Sequence, residues 1–241
     1  MGIDPVTQWR DVLPKWRLTL MSYLEFLATY SDRFIDGTLV TLGQFGLAVL
    51  VATAAALVSG LMKMAHSKLV RAIAVGYIEI FRGTSLLVQL YWFYFVLPLF
   101  GFSMEKFTAG FVTVGLCYGA YGAELVRGSI QSVPRGQWEA ALALNMTPAQ
   151  RMRRVILPQA LVTILPPWGN LMVEILKGTA LVALISVADL MFETRQINNN
   201  TYLSAQAFGT ALIIYYIFAR FMVTPTMRWL ERVMARKIGR S

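Results

Sequence analysis

Apolar residues run in long blocks along this chain, separated by short polar stretches that are mostly basic. Charge-free runs cover 37–62, 83–104 and 196–219, each long enough for a spanning helix of about 20 residues. Two shorter blocks, 107–123 and 166–188, read as spans too; the second carries Glu174 and Lys177. The pattern predicts five transmembrane helices at about 37–62, 85–100, 107–126, 166–189 and 206–224. Ahead of them, Trp9, Val12, Leu13, Trp16, Leu20, Tyr23, Leu24 and Leu27 recur at helical spacing, interrupted by Pro14. That amphipathic helix either lies on the membrane surface or packs on the protein itself. The predicted organisation is a periplasmic or interfacial segment 1–34, a membrane domain 35–226 and a basic tail 227–241.

Between the third and fourth spans lies the least greasy stretch, 132–158. Pro134 suits a helix start, and Trp138, Glu139, Ala140, Ala141 and Leu144 follow in helical register. Asn145 suits a left-handed corner. Thr147-Pro148-Ala149-Gln150 has the form of a capping box opening a second helix. The stretch reads as helix, sharp turn, helix: a compact projecting knob.

Composition agrees with a membrane protein: 56% of the 241 residues are hydrophobic, 15% are charged, and mean hydropathy is +0.55. The net charge of +9 is a topology signal. With the N-terminus outside, fifteen of the 22 Lys and Arg fall on the side holding 132–158 and the tail, which the positive-inside rule makes cytoplasmic. A nucleic-acid partner is not implied; anionic lipid is a secondary attraction. Residues 1–36 are too polar and too long for a cleavable signal.

The single Cys117, inside a span, reads as a packing residue, and His66, in a basic loop, as a solvated side chain. No metal cluster and no catalytic constellation is present in the sequence, so a membrane-embedded enzyme finds no support. Nor is an internal repeat visible, which argues against a self-contained secondary carrier and asks for a second permease chain. Ionisable residues inside spans are functional by default. Glu174 and Lys177, three apart, match the two charges of an amino acid or satisfy each other. Gln89, Tyr118, Tyr121 and Thr179 are further candidates for the substrate path. Glu79 with Arg82, spaced to pair on one helical face, and Glu124 with Arg127 read as structural or gating groups.

Glu139-Ala140-Ala141, Asn145 and Val155-x-Leu157-Pro158 resemble the EAA loop, E-A-A-x3-G-x9-I-x-L-P, of permease subunits of bacterial ATP-binding-cassette importers. Asn145 stands for the usual Gly and Val155 for the usual Ile. Flanking stretches such as Glu79-Ile80-Phe81-Arg82-Gly83-Thr84 and Val133-Pro134-Arg135-Gly136-Gln137 are similar to the polar amino-acid (histidine/glutamine-type) branch. Where that branch often reads K-D-T-S-L, this chain has Lys177-Gly178-Thr179-Ala180-Leu181. The resemblance implies the all-α type I importer permease fold in the bacterial inner membrane. It further implies a cytoplasmic ATPase dimer that holds the ATP, and a periplasmic solute-binding protein. ATPase coupling would fall to Gln137, Trp138, Glu139, Ala140, Ala141, Leu144 and Asn145. The implied cargo is a polar amino acid or small zwitterion, or a compatible solute or opine; a channel or carrier without an ATPase is the distant alternative.

Overall fold

The computed structural model describes the backbone of residues 15–237 and the side chains of 22–236, and among these every regular element is helical. Helix α1 is Lys15–Lys63 and α2 is Lys68–Gly83. Helix α3, Leu86–Tyr91, continues as a π turn, Trp92–Val96, and a 3-10 turn, Leu97–Phe100. Next come α4, Lys106–Gln131, and two short helices, α5, Arg135–Ala143, and α6, Pro148–Arg151. After a π turn, α7 is Leu157–Thr179, followed by α8, Leu190–Thr201; α9, Ser204–Ile217; and α10, Thr224–Lys237.

Small residues set the central contact. A Cβ on Gly115 would stand 2.6 Å from the Val51 Cβ, one on Gly119 2.7 Å from Ala55, and one on Gly122 2.8 Å from Ala56. Lipid offers no hydrophobic drive for helix association, so close backbone approach between α1 and α4 replaces it. These pairs rise together in number, so α1 and α4 run parallel. The chain between them must therefore recross the membrane once. The segment that does so is α2 with α3, which meet at Gly83-Thr84-Ser85 with a bend of 107°. Four straight candidate spans and this broken one make the five crossings expected.

Other contacts run antiparallel. Gly122 meets Trp168 and Gly178 meets Tyr118, placing α7 against α4, while Gly169 meets Met227 of α10. The end of α1, the 132–158 stretch and the last helix thus share one end of the bundle. Its core there gathers Ala56, Val126, Ile130, Val133, Ile156 and Ala160.

Three expectations need correction. Residues 15–63 form one unbroken helix, with no separate surface helix before the first span. At 1.5 Å per residue the 42 residues Ser22–Lys63 extend about 63 Å, twice the bilayer core. The excess packs on the protein: Phe26 and Phe34 join Leu190, Ile197, Ala207 and Ala211, Tyr23 bonds Thr210 at 2.8 Å, and Arg33 meets Glu193 at 2.6 Å. Residues 8–14 of the amphipathic stretch lie outside the described residues. Second, Pro166-Pro167 does not start a span but sits inside α7, in a helical segment running Pro148–Ile185. Third, the polar stretch 190–205 between the last two predicted spans is not a mere connection but largely the helix α8. Asp189 caps it by accepting from the Phe192 N–H at 2.8 Å, and Leu190, Thr194 and Ile197 bury one face.

Candidate functional site

Two regions carry the chemistry. The first is the knob at 132–158. Helix α5 ends in the geometry that its sequence asks for. Asn145 has φ 53°, its N–H donates to Leu142 O at 2.9 Å, and the Met146 N–H donates to Ala141 O at 3.1 Å. That is a Schellman closure with Asn in the left-handed position. The capping box forms as expected: the Gln150 N–H donates to the Thr147 hydroxyl, and the Thr147 N–H to Gln150 Oε1 at 3.0 Å.

The faces divide differently from the sequence reading. Trp138 turns inward, into the cluster of Val133, Ile156 and Met152, with the Arg151 guanidinium 5.5 Å over its ring. Ala141 is buried within the chain. Gln137 is tied to Gln159 of α7 at 3.1 Å. What stands out is Glu139, Ala140, Leu144 and Leu142, the last two 71% and 56% exposed. Leu142 was not among the expected coupling residues; two exposed leucines on a helix otherwise anchored inward are the signal for it.

The second region is a cavity of about 400 Å³ at the break in the second crossing. Thr84, Ser85 and Leu86 form one wall, Cys117, Tyr118 and Tyr121 of α4 another, Leu171 and Glu174 of α7 the third. A 107° bend frees backbone groups, and side chains recover them. The Thr84 hydroxyl donates to Ile80 O at 2.7 Å; Gln89 Nε2 donates to Phe81 O at 2.9 Å and to the Thr84 hydroxyl at 2.8 Å; the Cys117 thiol approaches Phe81 O at 3.8 Å. Ser85, at the start of α3, makes no side-chain cap.

The expected substrate-path residues separate here. Tyr118, Tyr121 and Glu174 line the cavity, and Lys177 joins it through a 2.9 Å ion pair with Glu174. Gln89 does not face the cavity as a free ligand group; it stitches the helix break. Thr179 is fully buried and donates to Leu176 O at 2.7 Å, away from the lining. Thr84, Ser85, Cys117 and Leu171 were not expected; the sequence signal was the Gly-Thr-Ser interruption after an amphipathic run. Nor do Glu79 and Arg82 pair with each other among the described residues. Arg82 instead lies 5.3 Å over the Tyr121 ring. Glu124 bridges two helices, meeting Lys63 at the end of α1 and Arg127 at 3.1 Å, which makes it a clamp at the knob end of the bundle.

Comparison with known proteins follows the same lines. Residues 48–236 match the family described as binding-protein-dependent transport system inner membrane component. A probable amino-acid ABC transporter permease protein, y4tF, of Sinorhizobium fredii (strain NBRC 101917 / NGR234), is 41% identical over 70% of this chain and 77% of its own length. The L-cystine transport system permease protein TcyB of Bacillus subtilis (strain 168) is 33% identical, covering 77% of this chain and 79% of that protein. The glutamine transport system permease protein GlnP of Escherichia coli (strain K12) is 32% identical, covering 83% and 92%. Among solved structures, an amino acid ABC transporter with histidines superimposes with a TM-score of 0.79 at 38% identity, over 86% of this chain and 96% of that one. With its helix-turn-helix knob on one end of five crossings, this chain belongs to the family of binding-protein-dependent transport system inner membrane components, the multi-pass permease subunits of ABC importers.

Proposed function

We propose that this permease carries a polar amino acid, or a related small zwitterionic solute, inward across the bacterial inner membrane, driven by a cytoplasmic ABC ATPase dimer docked on the 132–158 knob. The single observation that carries the cargo reading is the cavity. One wall offers the Glu174 carboxylate to an ammonium, and the facing wall offers the Ser85 hydroxyl to a carboxylate. Glutamine and cystine in the names of relatives support that class. Glu174 and Lys177 are 53% and 62% exposed in the last turns of α7, within a candidate span, a position that lipid would not tolerate. Both therefore face a second permease chain, the same or a related one, across a shared pathway. A periplasmic binding protein delivers the solute to the N-terminal side, and the charge asymmetry keeps the C-terminus in the cytoplasm. ATP is bound and hydrolysed by the partner.

Co-reconstitution in proteoliposomes tests this. With the ATPase and binding protein present, radiolabelled amino acid should accumulate only with ATP, and Leu144→Glu should abolish the accumulation. Uptake that proceeds without the ATPase would overturn the importer reading in favour of a channel or carrier. A compatible solute or opine is the second reading, favoured by Gly178 and Ala180, where neither an acid nor a hydroxyl is present.

A further inference from the structure

A second cavity opens one turn along α7, in the seam with α10. Gly169 lets the two helices approach there: a Cβ on it would stand 3.3 Å from the Met227 Cβ. Beside that contact lies a space of about 250 Å³, walled by Asn170 and Val173 of α7 and by Arg228 and Glu231 of α10. Sites for drug-sized molecules run to about 300–1,000 Å³, so this one is scaled to a small solute.

The polar groups in the seam are unspent. Arg228 and Glu231 stand three apart on α10, inside the candidate span Ser204–Arg236. Among the described residues neither side chain forms an ion pair, with the other or elsewhere, and the Asn170 amide makes no hydrogen bond. Ionisable groups within a span pair up or line a pathway, and these two do not pair. A guanidinium and a carboxylate one turn apart match the carboxylate and the ammonium of an amino acid.

The seam also connects to the cavity at the helix break. Asn170, Glu174 and Lys177 recur at spacings of four and three, and all three are exposed along one stripe of α7. Glu174 lines the first cavity and Asn170 the second. Four residues of helix separate them by about 6 Å. Helix α7 starts at the knob, so the seam is the step toward the knob end. A zwitterionic lipid headgroup carries the same two charges, but the polar stripe leading to Glu174 favours the free solute.

We propose that the α7–α10 seam is a second, inner binding station for a small zwitterionic solute, with Arg228 taking its carboxylate and Glu231 its ammonium on the way to the cytoplasm. This rests on the cargo reading above and extends it. The test titrates the full permease–ATPase complex, without binding protein, in phosphatidylcholine–phosphatidylglycerol nanodiscs with radiolabelled L-glutamine and, in parallel, L-arginine. The wild type should bind two molecules of the preferred amino acid per permease chain. Glu174→Gln should remove one of them. Arg228→Gln and Glu231→Gln should each weaken the other by about tenfold or more, and Arg228→Lys should recover part of that loss. Adding phosphatidylethanolamine to the nanodiscs should leave both stations occupied.

A wild-type stoichiometry of one, wholly dependent on Glu174, would overturn the proposal while leaving the amino-acid reading standing. So would Arg228→Gln and Glu231→Gln complexes that keep the wild-type thermal midpoint, stoichiometry and affinity. Loss of the inner molecule in phosphatidylethanolamine, with that lipid retained on the wild type and not on Arg228→Gln, would make the seam a headgroup site and overturn it too. Flat titrations with both amino acids, in a complex whose ATPase is active, would bring down the amino-acid reading and the proposal with it.

Discussion

Gln89 reaches back across the break in the second crossing and donates to the Thr84 hydroxyl at 2.8 Å, while the same amide nitrogen takes the Phe81 carbonyl at 2.9 Å. One side chain thus holds both arms of a 107° bend inside a membrane. In hydrocarbon an unpartnered carbonyl is costly, and a broken helix persists only where something recovers its groups. Gln89→Leu fills similar space and removes the donor. It should destabilise the permease by about 1–3 kcal/mol, the usual cost of leaving a buried carbonyl unmet. Thermal unfolding in detergent micelles reads this directly, and an unchanged midpoint would show that the bend is held by packing alone.

Glu174 stands at the cavity wall in a pair with Lys177. Glu174→Gln keeps shape and removes the charge. Amino-acid uptake by the reconstituted transporter should drop by about tenfold or more, with the thermal midpoint within a degree or so, because both side chains are half exposed and the pair adds little to stability. Lys177→Ala should cost less transport than Glu174→Gln, since it frees the carboxylate for an ammonium. The reverse order would sink the assignment of Glu174 as the ammonium partner.

Asn145 occupies the left-handed corner of the knob, at φ 53°. Asn145→Gly should be close to neutral for stability and for ATP-driven uptake, since glycine takes that backbone region without penalty. Asn145→Val should cost about 1–2 kcal/mol and loosen α5 against α6, because a β-branched residue resists positive φ. A second contrast separates the two faces of α5. Trp138→Ala should lower the thermal midpoint through loss of inward packing, whereas Leu144→Glu should leave the midpoint unchanged and uncouple ATP hydrolysis from uptake. Identical behaviour of the two variants would contradict the division of faces.

Asp189 is fully buried at the start of α8, and burial pushes its carboxyl up to about 7, against the pull of the helix N–H groups it caps. An unfolded aspartate titrates near 4, so between about pH 4 and 7 the folded chain holds the proton more tightly. Stability from this group is therefore fully present below pH 4, falls as pH rises toward 7, and is level above it. Asp189→Asn retains the cap and abolishes the titration. The wild-type midpoint should decline between pH 5 and pH 7, and the variant should stay flat over that window; parallel curves would rule the group out.

Much of this protein was legible from its order of residues alone. The length of the apolar runs dictated helices across a membrane, because an unpaired backbone is not tolerated in lipid. The spacing from Glu139 to Pro158 specified a helix, a left-handed corner and a capped restart, all of which depend on contacts within a few residues. Local rules suffice for such features. What the sequence could not decide was which face of each element looks where. Trp138 and Ala141 turned inward because α5 packs on the ends of α4 and α7, a long-range choice with no local mark. The outer half of the 49-residue α1 is anchored on one face, where Phe26 and Phe34 pack on α8 and α9, which no periodicity within 15–63 announces. Arg82 left Glu79 for Tyr121, and Tyr118 settled on Gly178, because α4 and α7 bring rings and bare backbone together from distant parts of the chain. Each of these outcomes depends on helix packing across the bundle, and packing is decided only once all five crossings are in place.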